Sequence, residues 1–333
     1  MNLRYILVGA GRIGQRHASH MANYGKMIAV CDTDSDKLTA LAEKFDFTAF
    51  ESLDHLVESK IEADVAVICT PNGLHAEHSI KLLNSGYHVL CEKPMALSSQ
   101  DCGKMIMAAE SNNKRLFVIK QNRFNPPITL LKNLLETQKL GDLFSFQLNC
   151  FWNRNNEYYN NSWKGTKSLD GGTLFTQFSH FVDLLYWLFG DLKSVKSYMH
   201  NYNHTGVTEF EDTGVVILKL LNGMIGSINF TTNASQKNME GSLAVFGSKG
   251  TVKIGGQYLN EIEYFMVDGM EQPEIAKGNK PNEYGSYVGS MSNHHLVYQN
   301  MVEVLTSNQS ISTSHFEGLK TVEFIENIYG SQK

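Results

Sequence analysis

The chain has 333 residues, 42% hydrophobic and 19% charged, which excludes a disordered tail, a collagen-like fibre or a disulfide-stapled miniprotein. With 29 basic against 34 acidic side chains the net charge is −5, so no overall positive field draws nucleic acid or anionic lipid, and neither is expected as a partner. The five cysteines, Cys31, Cys69, Cys91, Cys102 and Cys150, show neither CxxC pairing nor alternation with histidine. They read as reduced thiols of a cytoplasmic protein, with no disulfide framework and no metal site expected. No apolar run approaches the roughly 20 residues that span a bilayer, and the first such run, Tyr5 to Val8, stops at a glycine turn.

The length predicts two domains at about 100–200 residues each. In residues 1–122, five short runs are apolar on consecutive positions: Tyr5 to Val8, Met27 to Val30 with Cys31, Val65 to Cys69, His88 to Cys91 and Leu116 to Ile119. Strands buried on both faces of a parallel sheet read this way. Between them, helical periodicity runs over Ile13 to Tyr24, Asp36 to Phe45, Leu74 to Ser85 and Ser98 to Asn112, the last with Ser98 as its cap. This alternation predicts an α/β domain with a doubly wound parallel sheet. Residues 123–333 change texture and are read as a second domain for substrate binding and oligomerisation, its last helix placed to pack back on the first. Alternating stretches at Leu143 to Phe151, Thr213 to Leu220, Gly226 to Thr232, Leu243 to Phe246 and Gly250 to Ile254 predict an open, mainly antiparallel sheet. One helix is expected from Gly172 to Phe189 and two more at about 293–306 and 314–329. Asp268 to Ser292 reads as a long ordered loop.

Gly9-Ala10-Gly11-Arg12-Ile13-Gly14 is a G-x-G-x-x-G between the first strand and the first helix. Gly9 permits the turn, Gly11 lets the backbone approach a pyrophosphate, and Gly14 lets the helix pack close, with Arg12 and Ile13 flanking the same ligand. Asp32 ends the second strand, where a carboxylate accepts hydrogen bonds from adenosine ribose hydroxyls and repels a 2′-phosphate. The pattern predicts a Rossmann domain that binds NAD in preference to NADP.

Two further motifs, Cys91-Glu92-Lys93-Pro94 and Gly171-Gly172-Thr173-Leu174-Phe175-Thr176-Gln177-Phe178-Ser179-His180-Phe181-Val182-Asp183, resemble those of the glucose–fructose oxidoreductase and inositol dehydrogenase (Gfo/Idh/MocA) family. The resemblance spans essentially the whole chain. It implies a Rossmann domain followed by an open-sheet domain, and oxidation or reduction of a sugar hydroxyl or carbonyl with NAD(P). Lys93 stands at the carboxyl end of a strand, where open α/β sheets bind ligands, and can donate a hydrogen bond to a reacting oxygen. Its X-Pro bond is open to either isomer. His180 is the side chain suited to taking a hydroxyl proton as hydride leaves. Which of the two is the base stays open. Asp183, three residues on, shares its helix face and either orients the histidine or caps local structure. Glu92 and Gln177 are supporting candidates, Glu92 also as a cofactor contact.

Many family members carry an aspartate four residues before the histidine; here that position is Thr176, which leaves Lys93 and His180 as the proton handlers. The Thr-Leu-Phe-Thr-Gln version resembles the branch that oxidises C3 of UDP-N-acetylglucosaminuronic acid on the way to diamino-uronic acids of bacterial surface polysaccharides such as lipopolysaccharide O-antigen. In that branch NAD often stays bound and is reoxidised by a second substrate such as 2-oxoglutarate. Thr70, Asn72 and His75 are expected on the cofactor, as are Gln121 at the nicotinamide carboxamide and Trp163 with Lys164 over cofactor or substrate. Asn122 is expected on the substrate, with Tyr284, Tyr287, Ser290 and Asn293 for a diphosphate or uracil. Arg123 either forks onto a carboxylate or phosphate or braces the domain junction. Residues 153–161 read as a polar rim with no assigned chemistry. The resemblance also implies dimers or tetramers. The rival readings are a dehydrogenase of a free polyol or aldose and a non-catalytic NAD-binding regulator.

Overall fold

The computed structural model describes residues 2–160, 162–283 and 288–332. It divides into two compact units, residues 1–120 with 294–322, and residues 121–293 with 323–333. The segment that starts at His294 thus returns to the first unit.

The first unit is built on a six-stranded parallel sheet of β1 (Leu3–Val8), β2 (Gly25–Cys31), β3 (Thr48–Phe50), β4 (Val65–Ile68), β5 (His88–Cys91) and β6 (Leu116–Val118), in the order 3-2-1-4-5-6. This is the Rossmann arrangement, with the order reversing between β1 and β4. At such a switch point the loops beyond the carboxyl ends of the strands part and leave a crevice. Every residue of β4 is buried, as expected of a strand covered on both faces. The sequence reading missed β3 because Thr48-Ala49-Phe50 is a partly exposed edge strand with no apolar run. Ser98 caps the helix Ser99–Ser111 as expected, accepting from the Asp101 N–H at 3.1 Å while its hydroxyl donates to the Asp101 carboxylate at 2.7 Å. The helix His294–Ser307 packs on Arg12–Tyr24 through rings, with Tyr298 against Tyr5, His20 and Tyr24.

The second unit carries a seven-stranded sheet of β7 (Leu143–Phe151), β8 (Leu192–His200), β9 (Thr213–Leu220), β10 (Ile225–Thr231), β11 (Glu240–Gly247), β12 (Gly250–Gly255) and β13 (Glu261–Val267). The order is 13-12-11-7-10-9-8, antiparallel throughout except for the parallel β7–β10 pair. Strict alternation along β9 buries Val216, Leu218 and Leu220 and exposes Val215, Ile217 and Lys219. The buried face meets the helix Ser179–Phe189, with Phe146 stacked on Phe189 and Trp152 edge-on to Phe178 and Phe181. The expected loop at 268–292 contains two short antiparallel strands, β14 (Pro281–Glu283) paired with β15 (Val288–Met291).

The single helix expected from Gly172 to Phe189 is two, Thr173–Thr176 and Ser179–Phe189. Phe178 leaves helical geometry (φ −117°, ψ 8°) and seats its fully buried ring against Trp152, Phe181 and Phe230. The start of the pair is pinned by Glu211, which accepts from the Thr173 N–H at 3.2 Å and the Tyr329 hydroxyl at 2.6 Å. Gly172 sits at φ +136°, and a Cβ there would strike the same Tyr329 hydroxyl.

Burial pushes the Glu211 carboxyl up to about 7, against the hydrogen bonds that favour its charge. A folded-state pKa above the ordinary 4.5 means its contribution to stability is fully present below that value and is lost as pH rises to about 7. Glu211→Gln, which keeps the acceptor, should therefore gain roughly 2–3 kcal/mol on the wild type between pH 5 and pH 8, read as the pH dependence of the denaturation midpoint difference. A difference that stays flat with pH would refute this.

Candidate functional site

In the first unit the glycine turn is set by contact. Gly9 has φ +97°, donates to Cys31 O at 2.8 Å, and a Cβ on it would lie 2.6 Å from the carbonyl oxygen of Cys69. A Cβ on Gly14 would overlap the carbonyl oxygen of Gly9, so helix Arg12–Tyr24 can dock only with glycine there. Gly11 differs: it has extended backbone, and a Cβ on it meets nothing within 4 Å. Among the described residues nothing packs where its side chain would stand and no side chain caps the helix that follows, so the cradle fits the pyrophosphate of NAD. Asp32 accepts from the Ala10 N–H at 2.7 Å and the Asp34 N–H at 3.0 Å, holding its carboxylate at the glycine turn with lone pairs left for ribose hydroxyls. Arg12 is exposed and Ile13 half-buried.

Two expected cofactor contacts turn inward. His75 is buried; its Nδ1 lies 2.7 Å from Pro94 O and its Nε2 2.9 Å from Thr70 O. It is a strut between the turns after β4 and β5, with both ring nitrogens committed, and burial lowers its pKa against two backbone hydrogen bonds that raise it. Glu92 faces the interior, Oε1 lying 2.9 Å from His17 Nε2 and Oε2 accepting from the Lys93 N–H at 3.0 Å. Burial opposes its charge, but the hydrogen bond with His17 and the nearby His294 imidazole hold the carboxyl well below the usual range. Lys93 itself is half-buried at the end of β5, and its bond to Pro94 is cis. Thr70 faces His78, Oγ1 to Nδ1 at 3.2 Å, and Asn72 is buried.

In the second unit the break at Phe178 places buried His180 in the first turn of its helix. Arg123 and Asp183 are partners: the guanidinium forks onto the carboxylate, Nε and Nη2 each at 2.8 Å, both side chains being 3% exposed. Arg123, also lying over the Trp187 ring, is thereby tied to helix Ser179–Phe189. Gln177 accepts from Arg154 Nε at 2.8 Å and donates to the Tyr158 hydroxyl at 2.9 Å. Arg154 is the residue the sequence reading passed over as part of a rim. It is 3% exposed, donates to Asn153 O and Asn238 Oδ1, and lies over the Trp152 and Tyr158 rings. The signal was there in an arginine set among Trp152, Tyr158 and Tyr159, a pattern suited to burying a guanidinium by stacking.

Gln121 donates to Ser290 Oγ at 3.1 Å, while its Oε1 has no hydrogen-bond partner among the described residues. Asn122 is 1% exposed with both ends of its amide unpartnered among the described residues, a costly state that a ligand amide or hydroxyl would relieve. Asn293 serves the same segment from behind, donating to Asn125 Oδ1 at 2.8 Å and Gln121 O at 3.4 Å. Lys164 lies over Trp163 and Tyr158. Tyr284 and Tyr287 lie outside the described residues.

Two family models match the chain: the oxidoreductase family, NAD-binding Rossmann fold, over residues 3–120, and the GFO/IDH/MocA C-terminal domain over residues 128–253. The chain is similar to the WlbA dehydrogenase from Bordetella pertussis, solved with NADH and UDP-GlcNAcA, with 34% identity, TM-score 0.89 and coverage of 99% of this chain and 96% of that one. It is also similar to the WlbA dehydrogenase from Chromobacterium violaceum, likewise solved with NADH and UDP-GlcNAcA, at 34% identity, TM-score 0.88 and coverage of 99% of this chain and 93% of that one. An inositol 2-dehydrogenase of Salmonella typhimurium is 26% identical over 76% of this chain and 74% of its own length.

The glycines make separable predictions. Gly11→Ala should leave stability within about 0.5 kcal/mol of wild type yet weaken NADH binding at least about tenfold, whereas Gly14→Ala should cost about 3 kcal/mol or more. Denaturant titration and NADH fluorescence titration check both; equal effects of the two would contradict the cradle.

Proposed function

Because the chain belongs to the Gfo/Idh/MocA oxidoreductase family and is an NAD-binding sugar dehydrogenase, we propose that its substrate is UDP-N-acetylglucosaminuronic acid, oxidised at the C3 hydroxyl to the 3-oxo sugar. The observation that carries this reading is 34% identity along 99% of the chain to two dehydrogenases solved with NADH and UDP-GlcNAcA. Lys93, His180 and the amide-bearing Asn122 are the residues we assign to the reaction. Bound NAD supplies the hydride acceptor. Lys93 and His180 handle the hydroxyl proton, one removing it while the other donates a hydrogen bond to the emerging oxygen. Gly9, Gly11, Gly14 and Asp32 hold the cofactor, and Gln177 orders Arg154 and Tyr158 in the same unit as His180. Among the cations near the Gln177 motif, Lys164, half-buried over the Trp163 and Tyr158 rings, suits an anionic sugar. The place in metabolism that follows is the supply of a 3-oxo sugar for amination, in a cytoplasmic route to surface polysaccharide, with 2-oxoglutarate taking the hydride from NADH that stays bound and becoming 2-hydroxyglutarate.

A dehydrogenase of a free polyol is the second reading, favoured by the 26% identity to inositol 2-dehydrogenase. Purified protein incubated with UDP-N-acetylglucosaminuronic acid, with and without 2-oxoglutarate, separates the two by mass spectrometry of the product. A catalytic yield of 3-oxo sugar only with the keto acid supports the first; turnover of inositol alone supports the second. Lys93→Met and His180→Ala should each lower turnover by at least about a hundredfold.

The outer sheet face, where Tyr198 is 68%, Ile217 63% and Ile225 55% exposed, is the surface we assign to assembly with further copies of the chain. Ile217→Asp should shift the molar mass measured by light scattering to a smaller species while NADH binding holds; an unchanged mass would sink this assignment.

A further inference from the structure

A line of buried contacts ends on the main chain of Lys93, and two of its members have no role in the reading above. The Tyr298 hydroxyl lies 2.8 Å from His17 Nδ1, His17 Nε2 lies 2.9 Å from Glu92 Oε1, and Glu92 Oε2 accepts from the Lys93 N–H at 3.0 Å. His17 and Tyr298 are fully buried and Glu92 is 5% exposed, so these groups find their partners in the chain and not in bulk water. A phenol donating to Nδ1 leaves the imidazole proton on Nε2, aimed at the carboxylate. His294 Nε2 approaches the same Glu92 oxygen at 3.6 Å, a looser contact.

We propose that His17, steadied by Tyr298, is a positioning residue that acts through Glu92 to fix the main chain at Lys93. The inference rests on the assignment of Lys93 as a proton handler. With Glu92 Oε1 held by the imidazole, Oε2 has one orientation, and the N–H of Lys93 is tied to it. On the other side, the Pro94 carbonyl is tied to His75. The main chain is thus clamped at the peptide before the lysine and again at the carbonyl of the next residue, which sets the root from which its amine reaches a substrate oxygen. Misplacement of a proton donor by a fraction of its hydrogen-bond length costs rate and spares substrate affinity.

His17→Gln keeps an N–H for Glu92 and His17→Leu removes it. With NAD bound, hydrogen exchange is read on the peptide that carries the Lys93 amide, the last exchangeable amide before Pro94, together with kcat and KM for UDP-N-acetylglucosaminuronic acid and the NADH affinity. The proposal expects His17→Leu to speed exchange at Lys93 at least about tenfold with β1 unchanged, and to lower kcat about tenfold to a hundredfold with KM and NADH affinity within about twofold. His17→Gln should restore both readouts to within about threefold. Unchanged exchange at Lys93 in His17→Leu, or a Gln variant as impaired as the Leu variant, would overturn it. If His17→Leu fails to fold, Tyr298→Phe gives the same comparison, expected in the same direction and smaller. If the wild type does not turn this sugar over, the substrate assignment falls, while the exchange comparison still decides the positioning role.

Discussion

Backbone contact at the mouth of β1 is the constraint on which the nucleotide-binding unit depends. The missing Cβ of Gly14 lets the first helix touch the Gly9 carbonyl, and the missing Cβ of Gly9 lets the turn touch the carbonyl of Cys69, so the carboxyl ends of β1 and β4 meet. Each later placement follows from that meeting. Asp32 reaches the Ala10 N–H, the Thr70 turn comes within reach of His75, and His75 carries the register on to Pro94 beside Lys93. A side chain at either glycine would move the helix N-terminus and the lysine root together, because they are linked through main-chain atoms that have few alternative arrangements.

The second unit places His180 by a different device. A helix running without interruption from the glycines would have put the histidine mid-helix. The aromatic cluster around Phe178 breaks it, Arg123 locks the far side of the turn through Asp183, and Glu211 with Tyr329 pins the start. Two buried charged groups answer burial differently here. Asp183 is met by a forked guanidinium, whereas Glu211 meets neutral donors, the Thr173 N–H and the Tyr329 hydroxyl, and has a raised pKa.

Much of this was legible from residues alone where one physical signal dominates. Consecutive apolar runs reported the doubly buried strands, and His88 to Cys91 and Leu143 to Phe151 match the structure to the residue. The glycine pattern with Asp32 reported the nucleotide turn because both depend on backbone geometry that few residues permit. Strand β3 escaped because an exposed edge carries no hydrophobic period, and the helix break escaped because it is decided by ring packing between segments far apart in the chain. The internal partners of His75, Glu92 and Arg123 were not legible for one reason. A polar side chain near a motif looks available for a ligand until the fold reveals the internal partner that has already taken it. Arg154 shows the converse, since only the folded chain brings Gln177, Asn238 and two aromatic rings around its guanidinium.

The central claim is that hydride leaves C3 of a UDP-linked uronic acid. Substrate carrying deuterium at C3 tests it in one turnover with NAD-loaded protein: the account predicts deuterium in the reduced nicotinamide and a slower hydride step than with the unlabelled sugar. Deuterium retained at C3 while nicotinamide is reduced, or no reduction at saturating sugar, would contradict it.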